Sequence, residues 1–430
     1  MRPKSPAVLD LSSEKSRFPA NLGRRAVIQR VIYVVGSPMD LRDFARFGVA
    51  GWTSHKVAAE IWEIHDIFLQ RDVEGVVQPP PGCHVRSFSS IGELSTACLA
   101  LTSNTAVIIM AGVGLRQFPT YRSMLVPLMK SRAVLTTVSA GQRPLTPNES
   151  EPPSFVSRVR RHLHSLRSGK TTLASLARKA SERLGASAIL LQPPLIPSGL
   201  RPLDWIWVGT NTESVDPLFI GENTKIRYLH TWDYDLCLRA SDISCEGRRM
   251  PVYLDAMGPL HPDFAILPYY QVEVDADDWF RTVDAALTQI EECLGEPVLI
   301  AAHPRALIGS LENRYRGRDV LYGQTYSAIA GASIVFFTDP TTTLGMTAIL
   351  GKQAVAIQVP RLWDGHWLEM KEYIELMGLE VLEPGRIPAH WIPRPVNKSA
   401  YSSFLERYVK RPGTPDKPFW DEVRRDLLGG

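Results

Sequence analysis

Residues 296–305 read EPVLIAAHPR, an apolar run that ends in a histidine, a proline and an arginine. The run has the length of a buried strand, and Pro304 stops it because proline has no N–H to give to a sheet. Residues 275–295 precede it, with apolar side chains every three to four positions and Asp275 at the N-cap, which predicts a helix. A helix, a strand and a charged strand end in this order favour a parallel α/β sheet, where ligands bind at the carboxyl ends of strands.

The same alternation extends to both sides of this stretch. Further strands are predicted at 250–260, 333–339 and 353–360, with helices at 325–332 and 342–351. Apolar, strand-like runs also recur towards the N-terminus, at 26–36, 56–64, 83–90, 105–112, 133–141, 187–194 and 203–210. Strands that alternate with helices indicate βαβ units. The predicted fold class is therefore α/β, with two tandem Rossmann-like doubly wound domains and a cleft between them.

The domain limits follow from where each alternation begins and ends. An N-terminal Rossmann-like domain is predicted over 26–240 and a C-terminal one over 250–380. Residues 1–25 are polar and lack the apolar core of a signal peptide, so a disordered tail is expected there. Residues 381–430 are predicted to be a Pro-rich tail with a last helix near 398–409.

The bulk composition is that of a globular protein. The chain has 430 residues, of which 44% are hydrophobic and 22% charged, and its formal net charge of +3 does not point to a nucleic-acid partner. The five cysteines are scattered, which is typical of reduced thiols inside the cell. No apolar run reaches the roughly 18 residues of a membrane span. We therefore expect a cytoplasmic protein, with contact at the inner face of a membrane as a further possibility.

A basic stretch at 156–182 includes the segment RSGKTTLASL, which resembles a phosphate-binding loop. That motif requires a glycine five residues before Gly169, and His164 occupies the position. The motif is therefore rejected. The stretch itself fits a solvated helix face, or peripheral docking to an anionic membrane surface.

Two strand ends carry groups suited to phosphate. His303 follows the strand of 296–305, and Arg305 can bind a phosphate with two hydrogen bonds. The second strand end reads Asp339-Pro340 and then Thr341, Thr342 and Thr343, where hydroxyls and backbone N–H groups begin a helix. A structural histidine and an ordinary threonine cap remain the alternatives. The two strand ends are expected on neighbouring strands, with His303 within hydrogen-bonding reach of the threonines.

Other candidate residues lie in loops near the expected cleft. Asp255 ends a strand. It either contacts a ribose, a sugar hydroxyl or a transferred proton, or makes an Asx turn. His261, Pro262 and Asp263 follow in the same loop and supply acid–base groups. His230, Asp233 and Asp235 cluster near the expected domain junction. No group of histidines, cysteines and acids has the spacing of metal ligands, so no metal is predicted.

Asp43 lies in the first predicted helix turns after the strand of 26–36. A carboxylate there faces the opposing domain and suits a general base. The alternative is an ion pair with Arg46, three residues further along the same helix.

These motifs, taken in order, resemble bacterial surface-carbohydrate biosynthesis proteins from O-antigen and capsule clusters, which are GT-B glycosyltransferases. The segments concerned are IYVVGSPMDLRDFARFG, IRYLHTWDYD, VYLDAMGPLHPDF, IAAHPRA and TDPTTTLGMTAILGKQAVAI, within residues 27–360. The resemblance extends more loosely to transferases of sialic acid and Kdo, whose His-Pro strand end and later Ser/Thr helix start contact the nucleotide phosphate. His303 and Pro304 match the first feature and Thr341 to Thr343 the second. The chain departs from those relatives at Asp339, where a histidine or small residue is usual.

The resemblance implies a metal- and cofactor-independent transfer of sugar from a CMP- or UDP-linked donor to a glycan or lipid-linked acceptor. His303, Arg305 and the threonines would bind the leaving phosphate, and Asp43 would be the leading base, with His261 and Asp263 as substitutes. A nucleotide-sugar epimerase of the same fold is the rival enzyme. A non-catalytic scaffold in a polysaccharide assembly complex is the non-enzymatic alternative. The carboxylate of Asp339 favours it, because a carboxylate repels phosphate.

Overall fold

The computed structural model describes most of the chain. The described residues are 27–36, 39, 41–65, 67, 79–110, 119–140, 201–210, 215, 219–239, 249–261, 274–362 and 366–429. Several sequence predictions lie outside them: the tail 1–25, the basic stretch 156–182, the strand 187–194, Pro262 and Asp263.

Seven parallel strands form the first sheet, in the spatial order β3-β2-β1-β4-β5-β6-β7. The order reverses between β1 and β4, which is the switch point of a doubly wound sheet. The central strand β4 is buried on both faces, as its unbroken apolar sequence predicts. The strands are β1 (Arg30–Val35), β2 (Ala58–Glu63), β3 (Cys83–Ser87), β4 (Thr105–Ile109), β5 (Val134–Ser139), β6 (Trp205–Val208) and β7 (Lys225–Tyr228).

Helices connect these strands and cover the sheet. The side chain of Ser90 caps one of them by accepting the N–H of Glu93. The helices are α1 (Leu41–Arg46), a 3-10 helix (Val49–His55), α2 (Ile91–Leu99), α3 (Pro119–Lys130) and α4 (Trp232–Arg239).

Six parallel strands form the second sheet, in the order β10-β9-β8-β11-β12-β13. The strands are β8 (Met250–Leu254), β9 (Leu299–Ala301), β10 (Val320–Leu321), β11 (Ala332–Phe337), β12 (Ala354–Ile357) and β13 (Glu380–Leu382). The helices are a 3-10 helix (Gly258–Leu260), α5 (Ala276–Leu294), α6 (Thr325–Gly331), α7 (Leu344–Ile349) and α8 (His366–Met377). Asp275 caps α5 as expected, since its carboxylate accepts the N–H groups of Asp277 and Asp278.

The strand order corrects one expectation. The strands that precede His303 and Thr341 are β9 and β11, and β8 lies between them. Strands are about 4.8 Å apart, so the two strand ends are separated by about 10 Å of sheet rather than being neighbours. The intervening strand β8 places Asp255 at the carboxyl edge of the sheet, between these two strand ends.

The C-terminal segment returns to the first domain. It contains α9 (Lys398–Phe404), a π-helix (Leu405–Val409) and α10 (Phe419–Leu428). The helix α10 was not predicted from the sequence, and its Trp420 lies in the apolar core of the first domain with Tyr33. Trp420 also donates its indole N–H to the carbonyl oxygen of Arg46 at 2.7 Å.

Two doubly wound parallel sheets in tandem confirm the predicted GT-B-like α/β fold class. Among the described residues, no helix combines the length and the apolar character that a membrane crossing requires.

Candidate functional site

Asp255 lies at the carboxyl end of the central strand of the second sheet and is only 5% exposed. Its Oδ1 accepts the Tyr315 hydroxyl at 2.5 Å and the N–H of Met257 at 3.1 Å. Its Oδ2 accepts the N–H of His303 at 3.4 Å. Burial raises the pKa of Asp255 to about 6. The bond to Met257 is the Asx turn that the sequence left open, and the bond to His303 ties two strand ends together.

The loop after Asp255 requires a glycine. Met257 and Gly258 both have positive φ, at 61° and 47°. A Cβ at Gly258 would lie 2.7 Å from the ring of Trp279, which no side chain tolerates. The tight turn carries the chain back so that His261 reaches the end of the neighbouring strand.

His303 and His261 meet at this edge. Their ring centroids are 4.7 Å apart in an edge-to-face arrangement, and both residues are partly exposed. The Nδ1 of His303 accepts the N–H of Arg305 at 3.2 Å. A neutral His303 ring therefore carries its proton on Nε2, which makes that nitrogen a hydrogen-bond donor. Pro304 and Arg305 follow in the same turn, closed by the Ala306 N–H on the carbonyl oxygen of His303.

The three threonines already have protein partners. The Thr341 hydroxyl accepts the N–H of Thr343 at 3.2 Å and donates to the Thr343 hydroxyl at 3.1 Å. The side chain of Thr342 lies beside the carboxylate of Asp233, which belongs to α4 of the first domain. A phosphate at Thr342 would have to displace an anion that the protein itself supplies, which the sequence did not predict.

Asp339 points away from the cleft opening and is only 6% exposed. Its Oδ2 accepts the Thr338 hydroxyl at 2.7 Å, and its Oδ1 lies 3.1 Å from Nε2 of His366. The sequence suggested that this carboxylate would repel phosphate, but its hydrogen-bond partners lie inside the domain.

The helix α4 connects three parts of the chain. The imidazole of His230, just before α4, lies 2.8 Å from the carbonyl oxygen of Lys417. Asp235 accepts the N–H of Phe419 at 2.7 Å and pairs with Arg239. Asp233 reaches the second domain. All three residues of the expected domain junction therefore lie at contacts between distant segments.

Asp43 lies on α1 and is partly exposed. Arg46, on the same helix, acts electrostatically on the Asp233 carboxylate, and its guanidinium lies over the ring of Trp232 at 5.6 Å. Burial nevertheless raises the pKa of Asp233 to about 6, against the opposing effect of Arg46 and of Thr342.

These contacts orient the two domains. Both α1 and α4 follow carboxyl ends of strands in the first sheet, and Thr342 follows the carboxyl end of β11 in the second. Because α4 packs against α7 and Asp233 lies beside Thr342, the carboxyl edges of the two sheets face each other. A ligand between these two edges can contact the hydrogen-bond donors of His303 and Arg305 on one side and the Asp43 carboxylate of α1 on the other.

Comparison with known proteins finds no matching family model and no matching curated protein. Solved structures are similar over nearly the whole chain. One is CalG4, the calicheamicin glycosyltransferase, at 11% identity and a TM-score of 0.46, covering 94% of this chain and 98% of that one. Another is Acinetobacter baumannii MurG, at 10% identity and 0.43, covering 93% and 99%. A third is a UDP-N-acetylglucosamine 2-epimerase, at 10% identity and 0.44, covering 94% and 96%.

Proposed function

We propose that this chain is a glycosyltransferase that moves a sugar from a nucleotide-activated donor to an acceptor hydroxyl. The observation that carries the proposal is the packing of α4 of the first domain against α7 of the second, with Asp233 beside Thr342, so that the carboxyl edges of two doubly wound sheets face each other. A cleft of this kind holds two substrates with their reacting atoms between the domains.

The second domain would bind the donor. His303 offers an Nε2–H and Arg305 a guanidinium within one turn, and both suit the oxygens of a leaving phosphate. Pro304 fixes the backbone between them. For Thr341, Thr342 and Thr343 to contribute hydroxyls, the Asp233 carboxylate would have to move away from Thr342. With cationic and N–H donors supplied by the protein, the proposed mechanism is metal-independent.

The first domain would present the acceptor. Asp43 is our leading candidate for the base that removes the proton of the acceptor hydroxyl, because it lies on α1 at the facing edge. His261 is the second candidate, since its ring touches that of His303. Asp263 is a third, two residues beyond the described loop. Asp255 is assigned to holding the His303 backbone rather than to contact with the sugar.

The finer assignment rests on the sequence resemblance. It comprises a CMP- or UDP-linked donor, a growing O-antigen or capsule polysaccharide, and a glycan or lipid-linked acceptor. It also includes peripheral contact at the cytoplasmic face of the membrane through 156–182.

Two alternatives each have one supporting observation. The paired rings of His261 and His303 favour a nucleotide-sugar epimerase, which needs acid–base groups around the sugar. The position of the Asp233 carboxylate beside Thr342 favours a scaffold, because an anion of the protein already lies at the threonine site.

A thermal-shift screen across UDP, CMP, GDP and their sugar conjugates tests the proposal. A nucleotide at 100 times its Kd should stabilise the chain by about 2.7 kcal/mol. Product analysis then separates the two enzymes, since transfer requires an acceptor and epimerisation does not. If no nucleotide stabilises the chain, the non-catalytic scaffold is the alternative that remains.

A further inference from the structure

The loop between β9 and β10 leaves the sheet at His303 and returns to the strand end of β8. Tyr315, near the end of this loop, has no exposed surface, and its ring packs edge-to-face against Phe280 with 5.7 Å between centroids. The Tyr315 hydroxyl donates to Oδ1 of Asp255 at 2.5 Å. The loop therefore contacts Asp255 twice, through the His303 N–H at its start and through the Tyr315 hydroxyl near its end.

The Asp255 carboxylate is surrounded by hydrogen-bond donors. Oδ1 accepts the Tyr315 hydroxyl and the Met257 N–H, and Oδ2 accepts the His303 N–H. An ionised carboxylate only accepts, so it can hold all three donors at once. A protonated carboxyl has a proton of its own, which here would meet a donor. That proton is placed at the lowest cost on Oδ2, because this oxygen has a single partner at the longest of the three distances, 3.4 Å. Protonation of Asp255 therefore acts first on the bond to His303.

We propose that Asp255 is a pH-dependent tether, whose ionised carboxylate holds the His303 turn and whose protonation releases it. Tyr315 is the positioning residue of this tether, because its hydroxyl donates to the carboxylate and so favours the ionised form. A released turn would no longer place the Nε2–H of His303 and the guanidinium of Arg305 at one phosphate. That consequence rests on the proposed function, whereas the tether itself does not.

The surroundings of Asp255 set the pH range of the tether. Burial raises the pKa of Asp255 to about 6, the like charge of Asp339 acts in the same direction, and the three hydrogen bonds oppose the rise. With this pKa, only about one molecule in ten has an ionised Asp255 at pH 5, whereas nearly all have one at pH 7.5. Further titratable groups lie on the same strand and at the adjacent strand ends: Tyr253, His261 and His303.

The test follows the backbone amide of His303 in the full chain labelled with 15N-histidine, with the signal assigned by its loss in His303→Gln. An amide proton that is bonded to a carboxylate changes its chemical shift when the carboxylate is protonated. We expect a titration near pH 6 in the wild type and none of this titration in Asp255→Asn. Tyr315→Phe keeps the ring but removes a donor to the ionised form, so the midpoint should rise by about one pH unit.

Two controls separate the tether from other effects. The ring nitrogens of His303, labelled in the same sample, report the charge of its own imidazole. Tyr401→Phe is the matched control, because this buried tyrosine donates to the carbonyl oxygen of Lys352, and its amide titration should match that of the wild type. An amide signal that follows the imidazole in every variant, or a midpoint that Tyr315→Phe leaves in place, would overturn the proposal.

Calorimetric titration of UDP-glucose measures the consequence for binding, because its two phosphates keep their charge between pH 5 and 7.5. Wild-type affinity should fall by up to about tenfold from pH 7.5 to pH 5, as the fraction with an ionised Asp255 falls. In Tyr315→Phe the loss should already be present at pH 6.5. Protonation of the His303 ring alone would strengthen binding, so an affinity that rises as the pH falls would overturn the role of the tether at the phosphate site. If UDP-glucose does not bind at any pH, the proposed donor is contradicted, and the amide titration still decides on the tether.

Discussion

The carboxylate of Asp233, on the first domain, lies beside the side chain of Thr342 on the second. Its Oδ2 would be 3.7 Å from a Cβ at Gly345 of α7. Asp233 is buried and Thr342 partly exposed, at the point where the carboxyl edges of the two sheets meet. It therefore acts both as a link between the domains and as an anion already seated at the threonine loop.

Asp233→Asn should change how stability depends on pH. Burial raises the pKa of Asp233 to about 6, whereas an unfolded aspartate titrates near pH 3.9, so the folded state binds more protons between these values. The contribution of Asp233 to stability is then greatest below about pH 4 and falls as the pH rises through 6. The variant keeps an acceptor for Thr342 and should be more stable than the wild type at pH 7.5, by about 1–2 kcal/mol, with little difference at pH 4.5. Denaturant unfolding at both pH values measures this.

Asp235→Asn is the control for loss of a buried carboxylate. Asp235 accepts the Phe419 N–H and pairs with Arg239, so its variant should be destabilised at both pH values. Destabilisation of Asp233→Asn at pH 7.5, with an unchanged pH slope, would contradict this account of the junction.

Gly48→Ala should separate the C-terminal helix from the first domain. Gly48 has φ of 58°, and a Cβ there would lie 2.6 Å from Cγ of the buried Trp420. Gly317→Ala is the matched control, since Gly317 has φ of 81° but open space around it. The control should lose about 1–2 kcal/mol for backbone strain, and Gly48→Ala about 1–3 kcal/mol more for overpacking. If both variants lose the same free energy of unfolding in urea, α10 moves away from the new Cβ at no energetic cost, which would contradict this prediction.

Asp43→Asn tests the proposed base. Release of nucleotide from a UDP- or CMP-sugar in the presence of acceptor should fall by about 10²–10⁴-fold, with nucleotide affinity nearly unchanged. Asp421→Asn, which removes an exposed acid on α10, should leave turnover intact. Retained turnover in Asp43→Asn would transfer the role to His261 or Asp263.

Much of the fold could be predicted because buried parallel strands are short, unbroken apolar runs. β4 and β11 are examples, and the Asp275 cap gave the start of α5. β7 was not predicted, since its sequence KIRY is charged and partly exposed at the sheet edge. The helix α10 was not expected to pack on the first domain, because its contact from Trp420 to Arg46 joins residues 374 apart in the chain.

The site was predictable residue by residue but not in its arrangement. A Pro-containing strand end identified His303, and hydroxyl-rich sequence identified the threonines. Strand order is set by long-range pairing, so the insertion of β8 between β9 and β11 has no local signal. The same holds for the contact of Asp233 with Thr342. Asp339 was misleading because local sequence does not show that a carboxylate turns inward to Thr338 and His366.

The most direct test of the central claim is calorimetric titration of UDP and CMP into the wild type and His303→Ala, with the exposed His390→Ala as control. We expect at least one nucleotide to bind the wild type and the control equally. Its affinity for His303→Ala should be weaker by about 1.5–3 kcal/mol, the value of a hydrogen bond to a charged group. The unfolding temperature should stay near that of the wild type. Equal affinity in all three proteins, or no binding of any nucleotide to the wild type, would contradict a phosphate site at His303.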